Sequence, residues 1–123
     1  MAKALQHERL AADALAYLGT TWLHAEVGSR GRAYAVHREA LALSRGDARF
    51  HYLVASDLAE QGRRAEALVH YESAGHGPAW LHRQSVADIK ALRREFLAAG
   101  KPKLAEAAAK AVARLAKRGR SRP

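Results

Sequence analysis

The chain has 123 residues, of which 49% are hydrophobic, and it carries a formal net charge of +9 and no cysteine. This length suits a single domain of about 100–150 residues, and the hydrophobic share is too high for a disordered chain. The lack of cysteine excludes disulfide scaffolds, thiol catalysis and cysteine-based zinc sites. Alanine, which favours helices, occurs 29 times, whereas the β-branched residues that favour strands number nine. We therefore predict an all-α fold.

Glycine and proline residues divide the chain into segments in which apolar residues recur every three or four positions, as on one face of a helix. We predict one helical domain over residues 1–117, followed by a basic flexible tail over residues 118–123. The six predicted helices span residues 3–27, 32–44, 48–61, 64–74, 80–99 and 103–117.

Local residue chemistry explains several of these helix ends. Asp47 suits an N-cap, where its side chain accepts a backbone hydrogen bond, and Pro102 suits a first turn. Gly62 and Gly100 can adopt the left-handed conformation that ends a helix. Glu106 is predicted to lie in the first turn of the last helix, where a carboxylate meets the positive end of the helix dipole.

Neither a membrane span nor an export signal is expected from the sequence. The longest uncharged stretch, residues 14–25, is shorter than the roughly 20 apolar residues of a spanning helix. Polar residues 6–9 interrupt the apolar run that a signal peptide requires. We expect a cytoplasmic protein.

An internal repeat emerges when the chain is shifted by 34 residues. The pairs of residues that then coincide are Gly28/Gly62, Ala33/Ala67, His37/Tyr71 and Ala40/Ala74. A third unit follows after a four-residue insertion around the G-H-G-P cluster, with Gly100, Ala105 and Val112 at matching places. The glycine allows a turn between two helices, and the small residues allow those helices to approach each other closely.

This pattern resembles the tetratricopeptide repeat, a helix–turn–helix unit of 34 residues. The resemblance covers about residues 14–115, although Thr20, Thr21 and Arg93 depart from it in the outer units. It implies three degenerate repeats stacked in a right-handed α-solenoid, whereas the alternative is a generic alanine-rich bundle. The residues of the middle unit that carry it are Val54, Ala55, Leu58, Gly62, Ala67, Tyr71 and Ala74.

The resemblance implies a concave groove, lined by the first helix of each pair, that binds a segment of another protein. We therefore expect a non-enzymatic adaptor, scaffold or chaperone-like module. Trp22 suits either this groove or the core, since large aromatic residues serve in both. The residues placed in the groove by register are Trp22, Arg49, Tyr52, Ser56, Lys90 and Arg94.

The basic character of the chain is concentrated at its end, because residues 101–123 contain eight Lys or Arg residues and a single Glu. The alternative function is therefore a nucleic-acid- or ribosome-associated protein that binds phosphates through this segment. A solvated outer helix face also accounts for the same charges, and charge alone is a weak signal of binding. The candidate polyanion-binding residues are Lys103, Lys110, Arg114, Lys117, Arg118, Arg120 and Arg122.

Nothing in the sequence indicates catalysis or a cofactor. No two of the seven histidines lie three or four residues apart, as ligand pairs on one helix do. Glycine-rich phosphate-binding loops and nucleophile motifs are likewise lacking. We expect no metal site, and we expect that the end repeats can stack on a second copy to form a homo-oligomer.

Overall fold

A computed structural model of the chain describes residues 30–120, including the side chains of residues 32–117. These residues form helices and no strand, so the all-α prediction is confirmed for this part of the chain. The predicted helix over residues 3–27 lies outside the described residues. The helices are α1 (Arg30–Leu43), α2 (Ala48–Glu60), α3 (Arg64–Ala74), α4 (Ala79–Ala98) and α5 (Pro102–Arg120).

The observed helix bounds lie within two residues of the predicted ones except at the end of α5. That helix continues to Arg120, three residues beyond the predicted end, so residues 118–120 are helical rather than part of a tail. It also begins one residue earlier than predicted. Glu106 consequently lies beyond the first turn, which contains no acidic residue, and its predicted role at the helix start is wrong.

Local residue chemistry explains where α2 begins and where α2 and α4 end. The Asp47 carboxylate accepts a hydrogen bond from the Arg49 backbone N–H at 2.9 Å, as the N-cap prediction requires. Gly62 and Gly100 have φ angles of 80° and 70°, in the left-handed region that glycine adopts without strain. Pro102 is the first residue of α5, where a proline loses no helical hydrogen bond.

Each helix packs against the next one along the chain, and further contacts join alternate helices. α2 lies beside α4, and α3 lies beside α5. Among the described helices, α1 packs on α2 but makes no comparable contact with α4 or α5. The packing is therefore mainly between helices close in sequence.

The small residues of the repeat lie where the helices come closest. Ala33, Ala40, Ala67 and Ala74 are completely buried, and Ala105 is almost so. Burial of a large aliphatic or aromatic side chain contributes about 1.5–3 kcal/mol to folding. The main core combines residues of four helices, including Val54, Leu58, Tyr71, Ile89, Phe96 and Leu115.

The third unit departs slightly from the predicted register. Val112 is only half-buried, whereas Ala111 beside it is completely buried. Ala105 keeps its predicted packing position, so the departure is confined to the later turns of α5. No helix within residues 30–120 combines the length and the apolar composition needed to cross a bilayer.

Candidate functional site

The predicted groove residues that the structure describes belong to α2 and α4, which form one face together. The Tyr52 hydroxyl donates a hydrogen bond to Asp88 Oδ2 at 2.7 Å, and Gln84 Nε2 donates to the same oxygen at 3.4 Å. Tyr52 is half-buried. Its side chain therefore ties α2 to α4 at this face, and the sequence analysis missed its partner Asp88.

Two tyrosines and a serine form a connected cluster beneath this face. The rings of Tyr52 and Tyr71 meet edge to face with their centroids 5.6 Å apart, an arrangement that aromatic pairs favour. The Ser56 hydroxyl lies 3.4 Å from the Tyr71 hydroxyl. Burial, followed by the hydrogen bond to Asp88, raises the pKa of Tyr52 well above its usual range. Burial likewise raises the pKa of Tyr71.

A cavity of about 200 Å³ lies beside the cluster, between α2 and α4. Its lining combines apolar residues, among them Leu92 and Tyr71, with charged groups. Arg64 Nε donates to Glu95 Oε2 at 2.5 Å among these groups, in an exposed ion pair that contributes little to stability. The charged residues that line the cavity are Glu60, Arg64, Asp88 and Glu95.

The predicted basic residues of the groove occupy different environments. Lys90 and Arg94 are exposed, one helical turn apart on α4. Arg49 instead bonds back to the N-cap, with its Nε 3.2 Å from Asp47 Oδ1, and its guanidinium lies 5.4 Å from the Phe50 ring centroid. Trp22 falls before the part of the chain that the structure describes.

Three lysines form a line along the outer face of α5. Lys103, Lys110 and Lys117 are exposed and spaced by seven residues, or about 10 Å along the helix axis. Lys110 Nζ lies 3.4 Å from Glu106 Oε1 in an exposed pair. The side chains of Arg118 and Arg120 lie outside the described set, as does the whole of residue 122.

Arg114, another predicted polyanion-binding residue, is held by α3. Its Nε and Nη2 donate to the two carboxylate oxygens of Glu72 at 2.6 and 2.7 Å. This hydrogen-bonded pair lowers the pKa of the Glu72 carboxyl. The guanidinium is therefore already bound to a carboxylate.

The repeat alignment pairs His37 with Tyr71, and the structure gives His37 a buried polar partner. His37 Nδ1 on α1 lies 2.5 Å from Asp57 Oδ2 on α2, and both side chains are almost completely buried. The residues are twenty positions apart, so spacing along one helix gave no indication of this pair. The sequence contained one signal of this pair, namely Asp57, an acidic residue at a position of α2 that faces the core.

A second histidine contact joins α2 to α3. His51 Nδ1 and His70 Nδ1 lie 3.0 Å apart, and both rings are half-buried. Burial, with the neighbouring His70, lowers the pKa of His51, and burial lowers the pKa of His70. Both rings are therefore neutral at pH 7.

Comparison with protein-family models, with curated proteins and with solved structures finds no match to this chain. The tetratricopeptide resemblance thus depends on the chain's own residues.

Proposed function

We propose that this chain is a non-enzymatic, tetratricopeptide-like adaptor of the cytoplasm that binds a segment of a partner protein along the face of α2 and α4. The observation that carries this proposal is the packing order. α2 lies beside α4 while α3 lies beside α5, as expected when successive helical hairpins stack in a right-handed solenoid. A closed bundle, in contrast, favours contacts between the first and last helices.

The burial of the repeat positions supports the same arrangement. Ala33 and Ala67, which are 34 residues apart, are both completely buried. α1 and α3 begin at residues 30 and 64, at the same offset. A repeat array requires such shared burial at a constant offset, so both observations support the proposal.

The chemistry of the α2–α4 face suits recognition of an extended segment. The hydrogen bond between Tyr52 and Asp88 holds both side chains in place before a partner binds. Less conformational entropy is therefore lost on association. Lys90 and Arg94 provide exposed cations on α4. In this proposal the cavity between α2 and α4 receives a partner side chain, while Lys90 and Arg94, which do not line the cavity, attract acidic groups of the partner.

Selection of displayed random dodecapeptides on the immobilised full chain tests this proposal. We expect the selected peptides to lose at least tenfold in affinity on a Lys90→Glu, Arg94→Glu double variant. Arg93→Glu is the matched control, because Arg93 is an exposed arginine on the same helix that points about 100° away from Arg94. Peptides whose binding is unchanged by the double variant, or equally weakened by the control, would contradict the proposed groove.

A second candidate function is phosphate binding through α5, and the line of Lys103, Lys110 and Lys117 favours it. Helical structure through Arg120 extends the basic helix beyond its predicted end. Lysines at these intervals can reach separate phosphates of a nucleic acid backbone. Homo-oligomer formation through the end repeats stays a prediction that sedimentation at two protein concentrations tests.

A further inference from the structure

His51 and His70 face each other between the two helices of the middle hairpin. Their Nδ1 atoms are 3.0 Å apart, the ring centroids are 5.2 Å apart, and the ring planes are inclined by 35°. Between two neutral rings, such a contact places one N–H group against one lone pair. Two imidazole nitrogens, one from α2 and one from α3, are therefore held close together.

We infer that His51 and His70 form a two-histidine site for a divalent transition-metal ion such as Ni²⁺ or Cu²⁺, with water in the remaining positions. Imidazole nitrogens bind such ions at about 2.0–2.1 Å, so nitrogens 3.0 Å apart subtend about 95° at the ion. This is near the right angle between neighbouring ligands in the tetragonal sites that Cu²⁺ and Ni²⁺ adopt.

Metal binding requires both histidine rings to turn and one proton to move between ring nitrogens, with no net release of protons. Both rings must turn so that both Nδ1 lone pairs point at the ion rather than at each other. Rotation about the Cβ–Cγ bond of histidine is soft. The proton shared by the two Nδ1 atoms moves through solvent to Nε2 of the ring that donated it, and no proton is released.

Solvent reaches the pair from the His70 side. A cavity of about 420 Å³ between α1 and α3 is lined in part by His70, and both histidine rings are half-buried rather than enclosed. Within residues 30–120, no cluster of three or more His, Asp or Glu side chains is placed to hold a metal ion. The affinity of the proposed site therefore depends on the two imidazoles.

Some of the nearby charged groups favour a bound cation and others oppose it. Asp47 on the His51 side and Glu66 on the His70 side favour a cation, whereas Arg38 of α1 opposes it. The lowered pKa values of both histidines keep their lone pairs available at pH 7. An ion bound here would join α2 to α3 and stabilise the folded state in proportion to its concentration.

Calorimetric titration of the full chain with NiCl₂ at pH 7.5 tests the inference. We expect one site in the wild type, and a loss of at least tenfold in affinity in both His51→Gln and His70→Gln. His76→Gln removes an exposed histidine and is the matched control, which we expect to bind as the wild type does. Saturating Ni²⁺ should raise Tm by about 5 °C in the wild type and in this control.

A measurement on the wild type alone separates loss of metal binding from loss of stability in a variant. Paramagnetic Ni²⁺ should broaden the imidazole NMR signals of His51 and His70 before those of the other histidines. Equal broadening of all histidines would overturn the inference and indicate adventitious binding only. Unchanged affinity in His51→Gln or His70→Gln would also overturn it.

Discussion

His37 Nδ1 and Asp57 Oδ2, 2.5 Å apart, form a buried polar contact that joins α1 to the middle hairpin. The exposed fractions of the two side chains are 2% and 6%, so water cannot replace a partner that is removed. His37 Nε2 has no hydrogen-bond partner within the described part of the chain, which leaves Asp57 as the group that stabilises the buried ring. This pair fixes the position of α1 more specifically than apolar packing does.

Loss of this contact should be costly. We expect Asp57→Ala to lower the free energy of unfolding by about 3 kcal/mol, because a buried polar ring is left without its partner. Urea denaturation followed by circular dichroism measures this change. Glu60→Ala, at an exposed position of the same helix, should stay within about 0.5 kcal/mol of the wild type.

The double variant His37→Ala, Asp57→Ala distinguishes the pair from two independent sites. We expect its destabilisation to be smaller than the sum of the single changes by at least about 1 kcal/mol, since either single change already breaks the bond. Strict additivity of the two changes would show that the contact does not couple α1 to α2.

The Tyr52 phenol makes stability depend on alkaline pH. Its pKa is raised in the folded chain, so the unfolded chain releases this proton at a lower pH than the folded one. The resulting contribution is complete below the ordinary pKa of about 10 and is lost as pH rises through the folded pKa. We expect Tm to fall more steeply between pH 9.5 and 11 in the wild type than in Tyr52→Phe.

Absorbance at 295 nm follows tyrosinate formation in the same pH range. In the folded protein Tyr52 and Tyr71 should ionise later than an exposed tyrosine does, because burial raises both pKa values. A wild-type titration that matches the unfolded chain, or a Tyr52→Phe variant with the same alkaline loss of Tm, would contradict this account.

The elements of the described fold were largely predictable because their causes are local. The period of apolar residues located α1 to α5, and the cap at Asp47 and the turn at Gly62 each depend on adjacent residues. The positions of the buried alanines also followed from the repeat. Local patterns do not determine how far each helix rotates about its axis, and that rotation decides which polar side chains meet.

The candidate site shows this limit clearly. Tyr52 was predicted to lie on the groove face, but its bond to Asp88 spans 36 residues and depends on the contact between α2 and α4. Arg114 was assigned to a phosphate-binding surface, yet it bonds to Glu72, 42 residues away. Both outcomes require knowledge of which helices are neighbours, which the spacing within one helix does not contain.

Gly77 allows the start of α2 to approach the turn that precedes α4. A Cβ atom at this position would lie 2.8 Å from the Ala48 Cβ and 3.2 Å from the Ala74 carbonyl oxygen, and neither atom can move freely. We expect Gly77→Ala to cost about 1–3 kcal/mol through overpacking, as measured by urea denaturation. The addition of Ala48→Gly should recover part of this loss by removing the facing methyl group.

Gly62→Ala provides the comparison for Gly77. No atom lies within 4 Å of the added Cβ there, and the cost comes instead from the left-handed backbone at φ 80°. We expect about 1–2 kcal/mol for this change, with no recovery from Ala48→Gly. If Ala48→Gly rescued both variants or neither, steric contact at Gly77 would not be the cause.

The outer face of α5 gives a quantitative test of phosphate binding. Each lysine that contacts a phosphate of duplex DNA contributes about 0.9 to the slope of log affinity against log salt. Neutralising Lys103, Lys110 and Lys117 to Gln should therefore reduce the slope by about 2–3, measured by fluorescence anisotropy with a labelled 20-base-pair duplex. Arg114→Gln should change the slope less, because its guanidinium is already bonded to Glu72. If Arg114→Gln reduced the slope by as much as each lysine does, about 0.9, the effect would point to net charge alone. An absence of binding at low salt would reject this candidate function.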